Sequence, residues 1–211
     1  MDAGDGRHHR IELLATILLA LAALATAWST FQSGRWRGEQ AAETGKSTAA
    51  RVESSEAHTR AGQLTQIDVA AFVQWVNAQV AGNRELAGFY RERFRPEFRP
   101  AFAAWIATRP FANPHAPTSP FVMPQYRLPQ TERAERLAAT ATTRAAAASK
   151  ANEHADDYLL AVVLFASALF FAGISTKLRA LRQREVLLGI GWLILLGTAI
   201  WVATSPVTFS V

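Results

Sequence analysis

Residues 158–204 read YLLAVVLFASALFFAGISTKLRALRQREVLLGIGWLILLGTAIWVAT, two apolar runs divided by a short basic loop. The runs, Tyr158 to Ser175 and Val186 to Thr204, hold no ionisable acid, base or histidine, and a third run, Leu13 to Phe31, lies near the other end of the chain. At about 1.5 Å of rise per residue, each run spans close to the roughly 30 Å hydrocarbon layer of a bilayer. Backbone polar groups in lipid have to be satisfied internally, which leaves helices or closed barrels. The runs are too long for barrel strands and do not alternate, so three membrane-spanning helices are expected. The chain then divides into residues 1–31 (a tail and the first helix), 32–157 (a mostly polar insert) and 158–211 (two helices joined by the basic loop).

Charge sets the expected orientation. The loop carries Lys177, Arg179, Arg182 and Arg184 against Glu185 alone, and the N-terminal tail adds Arg7 and Arg10, diluted by Asp2 and Asp5. Short positively charged segments stay cytoplasmic. The N-terminus is therefore expected in the cytoplasm, with residues 32–157 and the C-terminus outside, although Arg35 and Arg37 oppose this mildly. A basic tail, a Leu/Ala run and Ala25-Thr26-Ala27 also fit a cleaved signal peptide. Small residues recur every fourth position straight through that point, at Thr26, Thr30, Gly34, Gly38 and Ala42, and favour an uncleaved anchor.

The net charge of +5 rests on arginine, 19 against three lysines. Within the insert, 16 basic residues are interspersed with 13 acidic ones, the pattern of a solvated surface rather than a nucleic-acid stripe. The absence of cysteine excludes disulfides, thiol catalysis and thiolate metal sites.

From Gln32 to Ala81 no proline interrupts a helix, and residues 132–155, ERAERLAATATTRAAAASKANEHA, have high helix propensity with almost no large apolar side chain. Two small-faced helices are expected to pack antiparallel as a stalk of roughly 40 Å. Its seam is assigned to Thr30, Gly34, Gly38, Ala42 and Gly45, with a homodimer face as the alternative use of that stripe. If Phe31 and Tyr158 mark one level, facing positions sum to about 189. That register sets Arg35 near Asp156 and Arg37 near Glu153, and assigns the acids Glu153, Asp156 and Asp157 to ion pairs at the membrane surface.

The distal part, about residues 60–130, forms the expected cap. Ile67, Val69, Phe72, Val73, Trp75, Val76 and Val80 read as one helical face. Gly82-Asn83 separates this helix from a second, through Phe94, and a third holds Phe98, Phe102, Trp105 and Ile106 with Pro100 in its first turn. Six prolines between Arg109 and Gln130 predict an extended strap pinned by Phe111, Phe121, Val122, Met123, Tyr126 and Leu128. Trp75, Phe102, Trp105, Phe121 and Tyr126 are the candidate lining of a cap pocket; a filled core is the other reading of the same aromatics.

Trp28-Ser29, Phe31-Gln32-Ser33, Arg35-Trp36 and Gly38-Glu39-Gln40, with Ser119-Pro120-Phe121, Met123-Pro124, Tyr126 and Leu128, resemble a family of uncharacterised bacterial integral membrane proteins. Val163-Leu164-Phe165-Ala166 and Leu169-Phe170-Phe171-Ala172-Gly173 are similar as well. The resemblance implies a small bacterial membrane protein with one N-terminal and two C-terminal spans, and brings no activity, cofactor or partner.

The chemistry-bearing residues are sparse. His8-His9, His58, His115 and His154 lack any ligand spacing, and no Gly-x-Ser-x-Gly, Walker or dinucleotide loop occurs. Glu12 sits at the edge of the first run beside Arg10, in the first turn where its charge suits the helix dipole. The expectation is an all-α, non-enzymatic protein of the bacterial cytoplasmic membrane that needs no cofactor, contacts lipid, and acts through a protein partner or a homo-oligomer. A sensor binding a small apolar ligand in the cap is the alternative.

Overall fold

The computed structural model describes residues 3–178 and 180–208, with side chains from His9 onward. Asp2 and the side chains of Asp5, Arg7, His8 and Arg179 lie outside the described residues. All regular structure among the described residues is helical: α1 (Ala3–Val80), α2 (Arg84–Glu92), α3 (Arg99–Ala107), α4 (Pro129–Ser175) and α5 (Leu181–Ala203), plus one 3-10 turn at Pro120–Val122. α1, α4 and α5 are each long and apolar enough to cross a membrane. Contacts divide the chain into two units, residues through Gly45 with those from Arg144 onward, and Lys46–Thr143.

In the first unit, α1 contributes Ile11, Ala15, Leu18 and Ala22, α4 contributes Ala161, Phe165, Ala168 and Ala172, and α5 contributes Leu188 and Leu195 to one core. The spacing of three and four along each helix is that of left-handed knobs-into-holes packing. Gly191 on α5 suits this approach: a Cβ there would stand 2.9 Å from Leu18 Cδ2, so the leucine tip would have to shift, and 3.5 Å from the Ala168 carbonyl. Beyond α5 the chain turns back onto the bundle. The Pro206 carbonyl accepts from Trp36 Nε1 (3.3 Å) and Tyr158 Oη (3.2 Å), and Gln32 Oε1 accepts from the Thr208 amide.

The antiparallel pairing of α1 with α4 is written in serine hydroxyls. Ser33 Oγ donates to the Ala155 carbonyl at 3.0 Å in the first unit. In the second, Ser47 Oγ donates to Ala141 (2.9 Å) and Ser54 Oγ to Ala134 (2.8 Å). Hydroxyls in a helix ordinarily bond their own preceding turn, as Thr26, Thr30 and Thr59 do here. Ser33, Ser47 and Ser54 reach across instead, because the alanines opposite let the backbones come close. Facing positions sum to 188 in all three bonds, one residue from the expected register.

The second unit gathers the large side chains. Trp75, Ala78, Ala87, Phe94, Phe98, Phe102 and Trp105 form a buried cluster with Phe72, Val76, Phe121, Met123 and Tyr126 packed on it. Gly82 adopts φ +71°, and Asn83 caps α2 by accepting from the Leu86 amide, as the Gly-Asn pair predicts. Pro100 stands in the first turn of α3, where its missing N–H costs nothing.

Two expectations for this unit need correction. Ile67, Val69, Val73 and Val80 are exposed, so only Phe72, Trp75 and Val76 of the assigned α1 face join the core. The proline-rich segment is not an extended strap. It is a chain of turns, with amide bonds from Ala112 to Arg109, Ala116 to Asn113, Met123 to Pro120 and Tyr126 to Met123. Proline supplies the φ of a turn as readily as that of an extended helix, and Asn113 completes one by accepting from the His115 amide. Val122 stays 62% exposed and does not pin the segment, whereas Phe111, though 64% exposed, sets its ring 6.2 Å from those of both Trp75 and Trp105.

Candidate functional site

The small-residue stripe does not form the seam. Thr30, Gly34, Gly38, Ala42 and Gly45 all lie on the exposed face of α1, and a Cβ at Gly34, Gly38 or Gly45 would meet nothing within 4 Å. The seam toward α4 runs instead through Ser29, Ser33, Glu43, Ser47, Ala50, Ser54, Ala57 and Ala61, all buried. Both sets are small. What separates them is helical phase: only the second continues, at three-four spacing, into Asp68, Trp75 and Ala78.

The same phase displaces the expected ion pairs. With Ser33 in the seam, Arg35 and Arg37 flank it, and neither has an ion pair among the described residues; the same holds for Glu153 and Asp157. Asp156 accepts from Asn152 on its own helix at 3.0 Å. His154 packs its ring 4.7 Å from that of Trp36. Two other charge pairs join α1 to α4: Glu43 with Arg144, 3.2 Å apart, the carboxylate buried and the guanidinium half exposed, and the exposed pair Glu53 with Arg133, 3.6 Å apart. A glutamate at a seam position was the available sign of the first.

Trp75, Phe102, Trp105, Phe121 and Tyr126 do come together, as a filled core rather than the walls of a pocket. Trp75 meets Phe102 edge-on at 4.8 Å, Phe121 stacks on Phe98 at 5.1 Å, and Tyr126 stands edge-on to Phe121 at 5.2 Å. Such pairs add about 0.5–1.5 kcal/mol each beyond the area they bury. Trp105 Nε1 donates to the Pro117 carbonyl at 2.7 Å, anchoring the turn segment to α3. Two of the five touch surface grooves: Phe102 one of about 680 Å3 between α2 and α3, also lined by Gly88, Arg91, Phe94, Arg99 and Ile106, and Tyr126 one of about 480 Å3 beside Thr65, Leu128 and Glu132.

Asp68, almost fully buried on α1, was not anticipated. Its Oδ2 accepts from Arg95 (3.0 Å) and from the Tyr126 hydroxyl (3.0 Å), while Arg95 also reaches Glu97 at 3.1 Å. One carboxylate thus ties α1 to the α2–α3 link and to the turn segment. Burial raises the Asp68 carboxyl above its ordinary value, against the lowering by Tyr126 and Arg95. Burial and the neighbouring carboxylate push the Tyr126 phenol up to about 12. An acid inside an otherwise apolar helical face was the sequence signal for this network.

Among the described residues no three His, Asp or Glu side chains gather in a way that could hold a metal. Comparison with known proteins yields no matching family model, no matching curated protein and no matching solved structure.

Proposed function

We propose that this chain is a membrane-anchored, non-enzymatic interaction protein of a bacterial cell envelope. α1, α4 and α5 cross the cytoplasmic membrane, the N-terminus lies in the cytoplasm, and residues 32–157 stand outside as a helical stalk and cap that contacts another protein. Lipid contact is supported by the exposure of the apolar windows: only 22%, 33% and 22% of them is buried inside the protein, so an apolar solvent has to cover the rest.

The observation that carries the interaction reading is the filled aromatic core of the second unit beside large apolar side chains left exposed, Val80, Phe111 and Val122 among them. A photoreactive phenylalanine analogue at position 111 or 122 of the full chain, in its own membranes, tests it. A discrete adduct of constant mass is expected at those positions and not at exposed Thr59. Uniform or absent labelling would remove the reading. Orientation is checked separately: Ser119→Cys should react with a membrane-impermeant maleimide on intact cells, and protection there would reverse the topology.

The groove between α2 and α3 favours a second reading, a sensor for a small ligand with an apolar body, since pockets of this size hold such molecules.

A further inference from the structure

We propose that the basic end of the first unit binds an anionic phospholipid, with the phosphodiester against Arg10, Lys177, Arg182 and Arg184 and an acyl chain along the outer face of α5. The inference rests on the membrane-spanning reading and adds a site and a ligand class to it.

The close approach of Leu18, Ala168 and Gly191 fixes one level of the bundle. Two turns toward the N-terminal end of α1, the same step brings Ile11, Ser175 and Arg184 to a common level. The four cations therefore lie at one end of the bundle, Arg182 on the outer face of α5 and Arg184 in the helical phase of buried Leu188. None of them has an acidic partner among the described residues. Arg184 Nε is buried and donates to no acceptor, so this end carries an uncompensated donor as well as positive charge. Ala180, at the N-cap of α5, offers no side-chain acceptor to the first amides of that helix, so its positive end is also open to an anion.

A free anion would need no apolar wall, and this site has one. A groove of about 450 Å3 runs beside Arg182, lined by Leu178, Gln183, Val186 and Leu187. The same face of α5 continues through Ile190 and Leu193, both exposed. Cation above, hydrocarbon track below, on one helix face, is the complement of a lipid with an anionic headgroup. Among the described side chains Glu12 and Glu185 are the acids at this end, and Glu185 is already engaged within the chain.

The test uses the full chain, delipidated in mild detergent, with phosphatidylglycerol or phosphatidylcholine added at equal concentration and bound lipid read by native mass spectrometry. Phosphatidylglycerol should be retained in preference, and Arg182→Gln and Arg184→Gln should each lower its retention roughly fivefold. Arg35→Gln and Arg37→Gln, on the other side of the first apolar run, should change nothing. Gln183→Glu covers the case in which the arginine variants fail to fold: it is exposed, suits the first turn of a helix, and places a negative charge in the groove, so it should also expel the lipid. Equal retention of the two lipids, full displacement by millimolar inorganic phosphate, or wild-type retention in Gln183→Glu would each overturn the proposal. Release of the protein from membranes by alkaline carbonate alone would instead remove the membrane reading beneath it.

Discussion

Leucine at position 141 and leucine at position 38 should move stability in opposite directions. Ala141 is buried against α1, and its carbonyl accepts the Ser47 hydroxyl. A leucine there forces the helices apart, at about 1–3 kcal/mol for overpacking, and breaks a bond worth about 1 kcal/mol, with Ser54 one heptad away at risk of a second. The expected loss is on the order of 2–5 kcal/mol. Gly38 faces solvent with nothing within 4 Å of a new Cβ, so Gly38→Leu should gain close to the glycine penalty of a helix interior, about 0.8 kcal/mol. Denaturant unfolding of the full chain in detergent, followed by far-ultraviolet circular dichroism, reads both. If Gly38→Leu costs as much as Ala141→Leu, the glycine stripe is the true seam and the serine assignment fails.

Three further outcomes follow from single contacts. Because burial raises the folded-state carboxyl of Asp68 above 3.8, its contribution to stability is complete below that value and lost as pH rises through the raised one; the stability of the wild type relative to Asp68→Asn should therefore fall with increasing pH in denaturant titrations, and a rise would mean that Arg95 and Tyr126 outweigh burial. Gly191→Val should cost about 1–3 kcal/mol through Leu18, with part recovered in a Leu18→Ala background; strict additivity in the double-variant cycle would show that the two do not touch. Arg144→Gln should destabilise by about 1 kcal/mol by removing the cation that faces buried Glu43, whereas Arg35→Gln should stay within about 0.5 kcal/mol; equal effects in thermal scans would restore the ion pairing expected at the membrane surface.

Much of this was readable from residue order, and the failures share one physical origin. The apolar runs, the Gly82-Asn83 break and Pro100 act locally, through hydrocarbon length, positive φ and a missing donor, and each fell where such local rules put it. The register came within one residue because it depends only on equal helix lengths from a shared level. The seam face did not follow, since glycine and serine are equally small and size alone says nothing about phase. Tracing the spacing of seven back from Trp75 through Asp68, Ala61, Ser54 and Ser47 to Ser33 would have settled it. The turn segment was misread because proline constrains φ and leaves ψ free. The core of Trp75, Phe98, Phe102 and Trp105 was legible as a cluster of aromatics, but whether they enclose a space or fill one depends on three-dimensional fit.

The serine bonds between α1 and α4 have a consequence for how this chain can change over time. On α1 the donor is a particular side chain, so Ser33, Ser47 and Ser54 are chemically specified. On α4 the acceptor is the main chain, which every residue possesses. The alanines there carry no message except their volume: glycine or serine would leave each acceptor in place, and anything larger would remove it. Of the two partners, one stores chemical identity and the other stores only an upper limit on size, so α4 should drift freely among small residues while α1 holds still.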